Sequence, residues 1–197
     1  MTIYPPQATL KEARQQYVID NGFGEDGGYT AKWVALKAGP ISLIIPNTAA
    51  RVRAVRVHDL HHVVTGYQTD WKGECEIGAW EIASGCRSYG AAWLLNLLAM
   101  SHGVLIFPRA TLAAWVRGRH SKNLYGVPCG EELLAQTVEQ TRRELGLDQA
   151  APRATALDVI TLVLWGGGGG LRSGLALAAA PSCRAAPVGG ACASVMC

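Results

Sequence analysis

Apolar and polar residues recur at a spacing near 3.6 through most of the chain. ATLKEARQQYV places Leu10, Ala13, Tyr17 and Val18 three to four residues apart, which predicts an amphipathic helix, and NGFGEDGG ends it. A short apolar stretch, YTAKWVALKAG, follows, and then PISLIIP, whose prolines bound a brief extended piece entering a turn. From Thr48 to Gly66 there is no helix breaker. Val52, Val55, Asp59, His62 and Val63 fall near one stripe, with Asn47 or Thr48 placed to cap the start. Gln68-Thr69-Asp70 then turns the chain, and Thr69 or Asp70 can cap WKGECEIGAWEIASG. The small residues Gly73, Gly78, Ala79, Ala83, Ser84 and Gly85 in that segment permit close helix approach.

YGAAWLLNLLAMSHGVLIF is apolar but interrupted by Asn96, His102 and Gly103, which predicts a buried helix rather than a membrane span. Pro108 breaks the pattern and ATLAAWVRGRHSK resumes it. After the loop NLYGVPCG comes one more amphipathic helix, EELLAQTVEQTRRELGL, whose acidic start and basic end suit the helix dipole. The expectation is an all-α protein with a single helical domain over residues 1–150. Residues 151–197 form an apolar, Gly/Ala-rich, low-complexity tail, in which LDVITLVLW can form a helix before five glycines and Arg172.

Composition narrows the function classes. At 197 residues, with 17% charged and 49% hydrophobic residues, the chain can bury one sizeable core. A net charge of +3, without any run of basic residues interleaved with aromatics, argues against nucleic acid as a partner. The six cysteines include no C-x-x-C pair, and MTIYPPQATLKEARQQ lacks the layout of a signal or transit peptide. Reduced thiols and a cytoplasmic location are expected, unless a leader has been removed.

The chemistry concentrates in HDLHHVVTGYQTDWKGE. His58 and His62 are four residues apart, so on a helix their rings leave one face about one turn apart, within reach of a single ion, while His61 is rotated away. Asp59 flanks the pair, and Glu74 follows across a turn that can fold the next helix back. Two imidazoles with one or two carboxylates match the donor preferences of zinc, iron or manganese and leave positions open for water or substrate. The same residues also fit a plain reading, a core or solvated histidine pair with Glu74 as an N-terminal helix charge. Glu81 lies seven residues after Glu74 on the same helical face. Arg51, Arg53 and Arg56 read as a solubilising face or a contact for an anionic membrane surface, and Arg117, Arg119 and His120 as a solvated positive face or a contact for a carboxylate or phosphate. A metal-dependent phosphohydrolase built on the His-Asp pair fits poorly, because His58 is the first histidine in the chain. The glycines at 166–170 lack the lysine of a phosphate loop.

His58, Asp59 and His62, followed after eleven residues by Glu74, resemble the H-D-x-x-H…E signature of the coenzyme Q (ubiquinone) biosynthesis protein 4 family. IIPNTAARVRAVRVHDLHHVVTGYQTDWKGE resembles that family's entry helix, Trp80-Glu81 its aromatic-Glu pair, and the stretch from Trp115 to TRRELGL its closing helices. The resemblance covers about residues 8 to 150 and leaves the tail without a counterpart. It implies a divalent metal, zinc first with iron or manganese as alternatives, held at His58, Asp59, His62 and Glu74. Glu81 or a metal-bound water is then the proton-transfer candidate. It further implies a polyprenylated quinone precursor as ligand, other quinone-biosynthesis enzymes as partners, peripheral contact with the inner face of a membrane, and room for a homodimer. The implied reaction is oxidative decarboxylation of a polyprenylated aromatic acid. The alternative is a non-catalytic lipid-binding scaffold for the biosynthetic complex.

Overall fold

A computed structural model describes residues 4–24, 26–38 and 41–166, with 36–38 and 41–43 by their backbone alone. The tail beyond Gly166, with most of the glycine run and Arg172, lies outside the described residues. Eight α-helices and one two-stranded hairpin make up the described chain, in agreement with the all-α expectation. Helix α1 (Leu10–Asp20) opens on a capping box in which the Thr9 side chain and Glu12 satisfy each other's backbone N–H groups. The two apolar stretches that follow pair as antiparallel strands, β1 (Trp33–Ala38) and β2 (Ile41–Pro46).

Helix α2 (Ala49–Thr65) is capped by Thr48 and ends at Gly66, which takes the left-handed conformation at φ 77° and returns its N–H to His62 O. Its C-terminal half is buried nearly all round, from Val57 through Thr65 except for His58. Helix α3 (Trp71–Ser84), capped by Asp70, lies at the centre of the bundle. It packs on α4 (Gly90–Ile106) and α5 (Pro108–Arg119) through small residues: a Cβ on Gly118 would sit 2.5 Å from Trp80 O, and one on Gly78 3.0 Å from Asn96 O. Trp80, Ile77, Leu60, Val64 and Met100 fill the core.

Three expectations change. The terminal amphipathic segment is two helices, α6 (Glu131–Ala135) and α7 (Val138–Leu145). They are separated because Gln136 is extended and residues 8–10 pair with it, Leu10 N–H donating to Gln136 O and Val138 N–H to Ala8 O. Helix α4 is buried on one face only; Leu94, Leu98 and Leu105 on the other are exposed, Leu105 to 81%. Of the basic cluster after Trp115, Arg117 is drawn inward while Arg119 and His120 stay exposed. Arg117 donates to Thr65 O at 3.0 Å and lies over the Tyr67 ring, and Arg119 pairs with Asp158. Arg142 donates to Val64 O, so two cations from α5 and α7 cap the C-terminal carbonyls of α2.

Asp158 belongs to α8 (Ala156–Leu164), the first part of the segment expected as tail. This helix packs on α5 through the Arg119 ion pair and a Trp115 Nε1 to Thr161 Oγ1 bond of 3.3 Å. Trp165 just beyond it stacks on Trp93 of α4. No helix among the described residues is long and apolar enough to cross a membrane.

Because the α3–α5 contact is close to backbone-on-backbone, adding one methyl at its tightest point must push the helices apart. Gly118→Ala should lower stability by about 1–3 kcal/mol despite alanine's better helix propensity. Chemical denaturation of the two proteins measures this; equal or greater stability in the variant would contradict the packing described.

Candidate metal centre

Two helices and the turn between them build the site. Gly73 allows the turn to close: a Cβ there would lie 2.1 Å from Gln68 O, so only glycine lets residues 66–70 fold over the first turn of α3. That fold-back brings Glu74 opposite the histidines. His58 Nε2 and His62 Nε2 are 3.1 Å apart, and the Glu74 carboxylate lies 3.5 Å from the first and 3.3 Å from the second. Ligands about 2.0–2.1 Å from a tetrahedral zinc stand roughly 3.4 Å from one another, so the spacing suits a single small cation. Among the described residues these three form the one group of His, Cys, Asp and Glu side chains gathered tightly enough to hold an ion.

The outer contacts orient the donors. His62 Nδ1–H donates to Tyr67 O at 2.9 Å, and its ring is stacked against Tyr17 at 5.5 Å. His58 Nδ1–H donates to Glu81 Oε1 at 2.8 Å. With both Nδ1 atoms committed as donors, both Nε2 lone pairs face the Glu74 carboxylate, an arrangement of acceptors that requires a cation. In the metal-free protein a proton fills that requirement. Burial works against charging His58, but Glu81 and Glu74 outweigh it and hold the imidazolium well above the ordinary value of 6.5. Burial likewise opposes the ionised form of Glu74, yet His62 and His58 hold its carboxyl far below the usual range. Glu74 is 38% exposed and His58 18%, so the cluster opens to solvent on their side. A cavity of about 10 Å³, the size of one water, lies on the other side against His62, Tyr17 and Tyr67.

Asp59 is set apart from this group. It is buried, and its carboxylate accepts from the Tyr29 hydroxyl instead of facing the Nε2 atoms; burial raises its pKa against that hydrogen bond. Glu81 sits behind His58. It has no solvent exposure and accepts from His58, from His61 Nδ1 at 2.7 Å, from Asn96 Nδ2 and from the Tyr125 hydroxyl at 2.5 Å. Burial would raise its pKa, but the two histidines hold it well below the carboxylate range. With its oxygens occupied in this way it orients His58 and does not reach the open side of the cluster. His61 is turned from the ion, as the spacing implied, yet it is structural: its Nε2 accepts from Leu124 N–H at 2.9 Å, which fixes Nδ1 as the donor to Glu81. Asn96 interrupts the leucines of α4, a sequence signal of a buried polar partner; Tyr125, Tyr67 and Tyr29 carried none.

No family model, curated protein or solved structure matches the chain. What the fold and the geometry define is an all-α protein whose His58, His62 and Glu74 could hold a metal ion.

His62→Ala should abolish zinc binding in a competition titration with a chromophoric chelator, and Glu81→Gln should weaken it about 10–100-fold through the loss of the His58 anchor. Asp59→Asn should cost much less; a loss as large as that of His62→Ala would place Asp59 among the ligands. The pH dependence carries a sign. The raised pKa of His58 gives the metal-free protein stability that is full below 6.5 and lost as pH rises through the shifted value. The depressed Glu74 and Glu81 give stability that is present above 4.5 and lost on acidification. Melting curves of the metal-free protein should therefore fall on the alkaline side, and saturating zinc should flatten that fall by replacing the proton.

Proposed function

We propose that the chain is a metal-dependent protein of ubiquinone or related prenylated quinone biosynthesis, acting on a polyprenylated aromatic acid. The observation that carries this reading is the convergence of His58 Nε2, His62 Nε2 and Glu74 on one point, with each ring anchored through Nδ1. It supports the ligand role that the resemblance to the coenzyme Q biosynthesis protein 4 family implied for three of its four signature residues. The reaction is an oxidative decarboxylation. The bond from ring to carboxyl carbon breaks with release of carbon dioxide, one oxygen atom of dioxygen forms the ring hydroxyl, and the other leaves as water with two protons and two electrons from an external reductant.

A divalent ion, when bound, supplies a Lewis acid with coordination positions that three protein ligands leave open. Zinc suits the donor set first, and the same two-histidine, one-carboxylate set also suits iron, whose redox chemistry fits an oxidative step. The chain's own part is to hold that geometry. Tyr67 O and Glu81 fix the tautomers, Tyr17 packs the His62 ring in place, and the partial exposure of Glu74 and His58 leaves the approach for a substrate.

A second reading is a lipid-binding scaffold that presents precursors to partner enzymes, with the metal joining α2 to α3. It is favoured by the apolar surface outside. Leu94, Leu98 and Leu105 of α4 and Leu157, Ile160 and Leu164 of α8 are all more than half exposed. Such a face suits a prenyl chain or peripheral contact with a bilayer surface.

Complementation of a strain lacking the quinone step, with mass spectrometry of the accumulated precursor, separates the two. Folded His62→Ala and Glu74→Ala proteins should leave the carboxylated precursor unconverted, and normal product formation by either would refute the enzyme reading in favour of the scaffold. Metal analysis of the purified wild type, beside His62→Ala, identifies the ion.

A further inference from the structure

Arginine side chains act on Tyr29 and on Asp59, the buried carboxylate next in sequence to His58. Arg56 lies over the Tyr29 ring with its guanidinium carbon 5.0 Å from the centroid. Arg51 donates from Nη1 to Asn47 Oδ1 at 2.7 Å, and Asn47 in turn donates to Gly28 O and Ala31 O, which holds the loop carrying Tyr29. The charges of Arg14, on α1, and Arg56 both act on the Tyr29 hydroxyl, and that of Arg51 acts on Asp59. Asp59, the buried carboxylate among them, accepts from Tyr29.

None of the three arginines makes an ion pair among the described residues, whereas Arg119 and Arg143 both do. Each instead keeps one guanidinium nitrogen screened from solvent and without a hydrogen-bond partner: Nη1 of Arg14, Nε of Arg51 and Nε of Arg56. A buried donor on a charged group is costly to leave unmet, and these are the only buried side-chain polar atoms in that condition among the described residues. Two of these arginines act on Tyr29 and the third on Asp59, the carboxylate that Tyr29 hydrogen-bonds, and their unmet donors ask for negative charge from outside. Each arginine is partly exposed, so an incoming anion can reach the guanidinium, and the long side chains can turn the remaining N–H toward it. Guanidinium N–H groups match the paired oxygens of a carboxylate or phosphate.

We propose that Arg14, Arg51 and Arg56 form an oxyanion subsite that takes the carboxylate or phosphate of a small ligand at Asp59 and Tyr29, next to the metal cluster. The subsite requires neither a bound metal nor the chemical step proposed above. Its failure and the failure of that reading are therefore separable.

Calorimetric and NMR titrations of the full-length protein with 4-hydroxybenzoate and, separately, with inorganic phosphate test it, in metal-free and zinc-loaded forms. Saturable, salt-sensitive binding of at least one of the two is expected. Arg14→Gln and Arg56→Gln should each weaken it roughly tenfold or more, while Arg56→Lys, which keeps the charge, should lose less. If a Gln variant does not fold, the Lys variant and Arg51→Gln serve the same comparison. Preference for 4-hydroxybenzoate over phosphate identifies a carboxylate ligand, the reverse a phosphorylated one, and both support the subsite. The metal-free and zinc-loaded proteins should both bind the anion, and Lys122→Gln, which removes an exposed cation elsewhere, should bind it as the wild type does. The proposal is overturned if neither probe saturates, as expected were the arginines met by water alone. It is also overturned if binding survives the arginine substitutions, or if it appears only in the zinc-loaded protein, which would assign the anion to the metal cluster.

Discussion

A carboxylate shut away from water has to be surrounded by donors, and Glu81 is such a group at the centre of the bundle. Its donors come from separate parts of the chain: His58 and His61 from α2, Asn96 from α4, and Tyr125 from the loop after α5. None of these elements can shift without leaving part of a buried charge unmet. The position of α2 against α3, and with it the spacing of His58 and His62 from Glu74, is tied to the satisfaction of this one residue. His61 extends the tie by accepting from Leu124 N–H, so a backbone group of the loop is fixed by the same network.

The second constraint is steric. Gly73, Gly78, Gly103 and Gly118 stand where a Cβ would collide with backbone or with a short side chain of the neighbouring segment. The helices approach closely enough for Glu81 to be enclosed, and the α2–α3 turn folds tightly enough for Glu74 to face the histidines. Polar satisfaction and close packing thus act together. One sets which groups must meet, and the other lets them come near enough.

The site inherits its chemistry from this frame. Anchoring both Nδ1 atoms turns two Nε2 lone pairs on a carboxylate, and that excess of acceptors is what makes the cluster a place for a cation. A proton serves in the metal-free state and a divalent ion is the proposed occupant. Around Tyr29 and Asp59 the balance is reversed, with arginine donors in excess. The juxtaposition of a cation site and an anion site beside one buried carboxylate is the electrostatic outline of a binding centre for an acidic ligand.

Much of this was legible in the residues themselves. Helix caps at Thr48 and Asp70, the stop at Gly66 and the four-residue spacing of His58 and His62 are local properties, set by backbone hydrogen bonding and helical pitch, and the structure places them as the spacing predicts. The break at Gln136, the exposed face of α4 and the packing of α8 on α5 were not legible, because each depends on a segment distant in sequence. The same holds within the site. Spacing singled out Asp59 and Glu74 equally, and only the approach of Tyr29 from the preceding loop drew the Asp59 carboxylate aside. Sequence alone determined which side chains share a helical face; which carboxylate meets the histidines, and which is enclosed behind them, was decided by tertiary packing, since a carboxylate's partners are whatever donors the fold brings within reach.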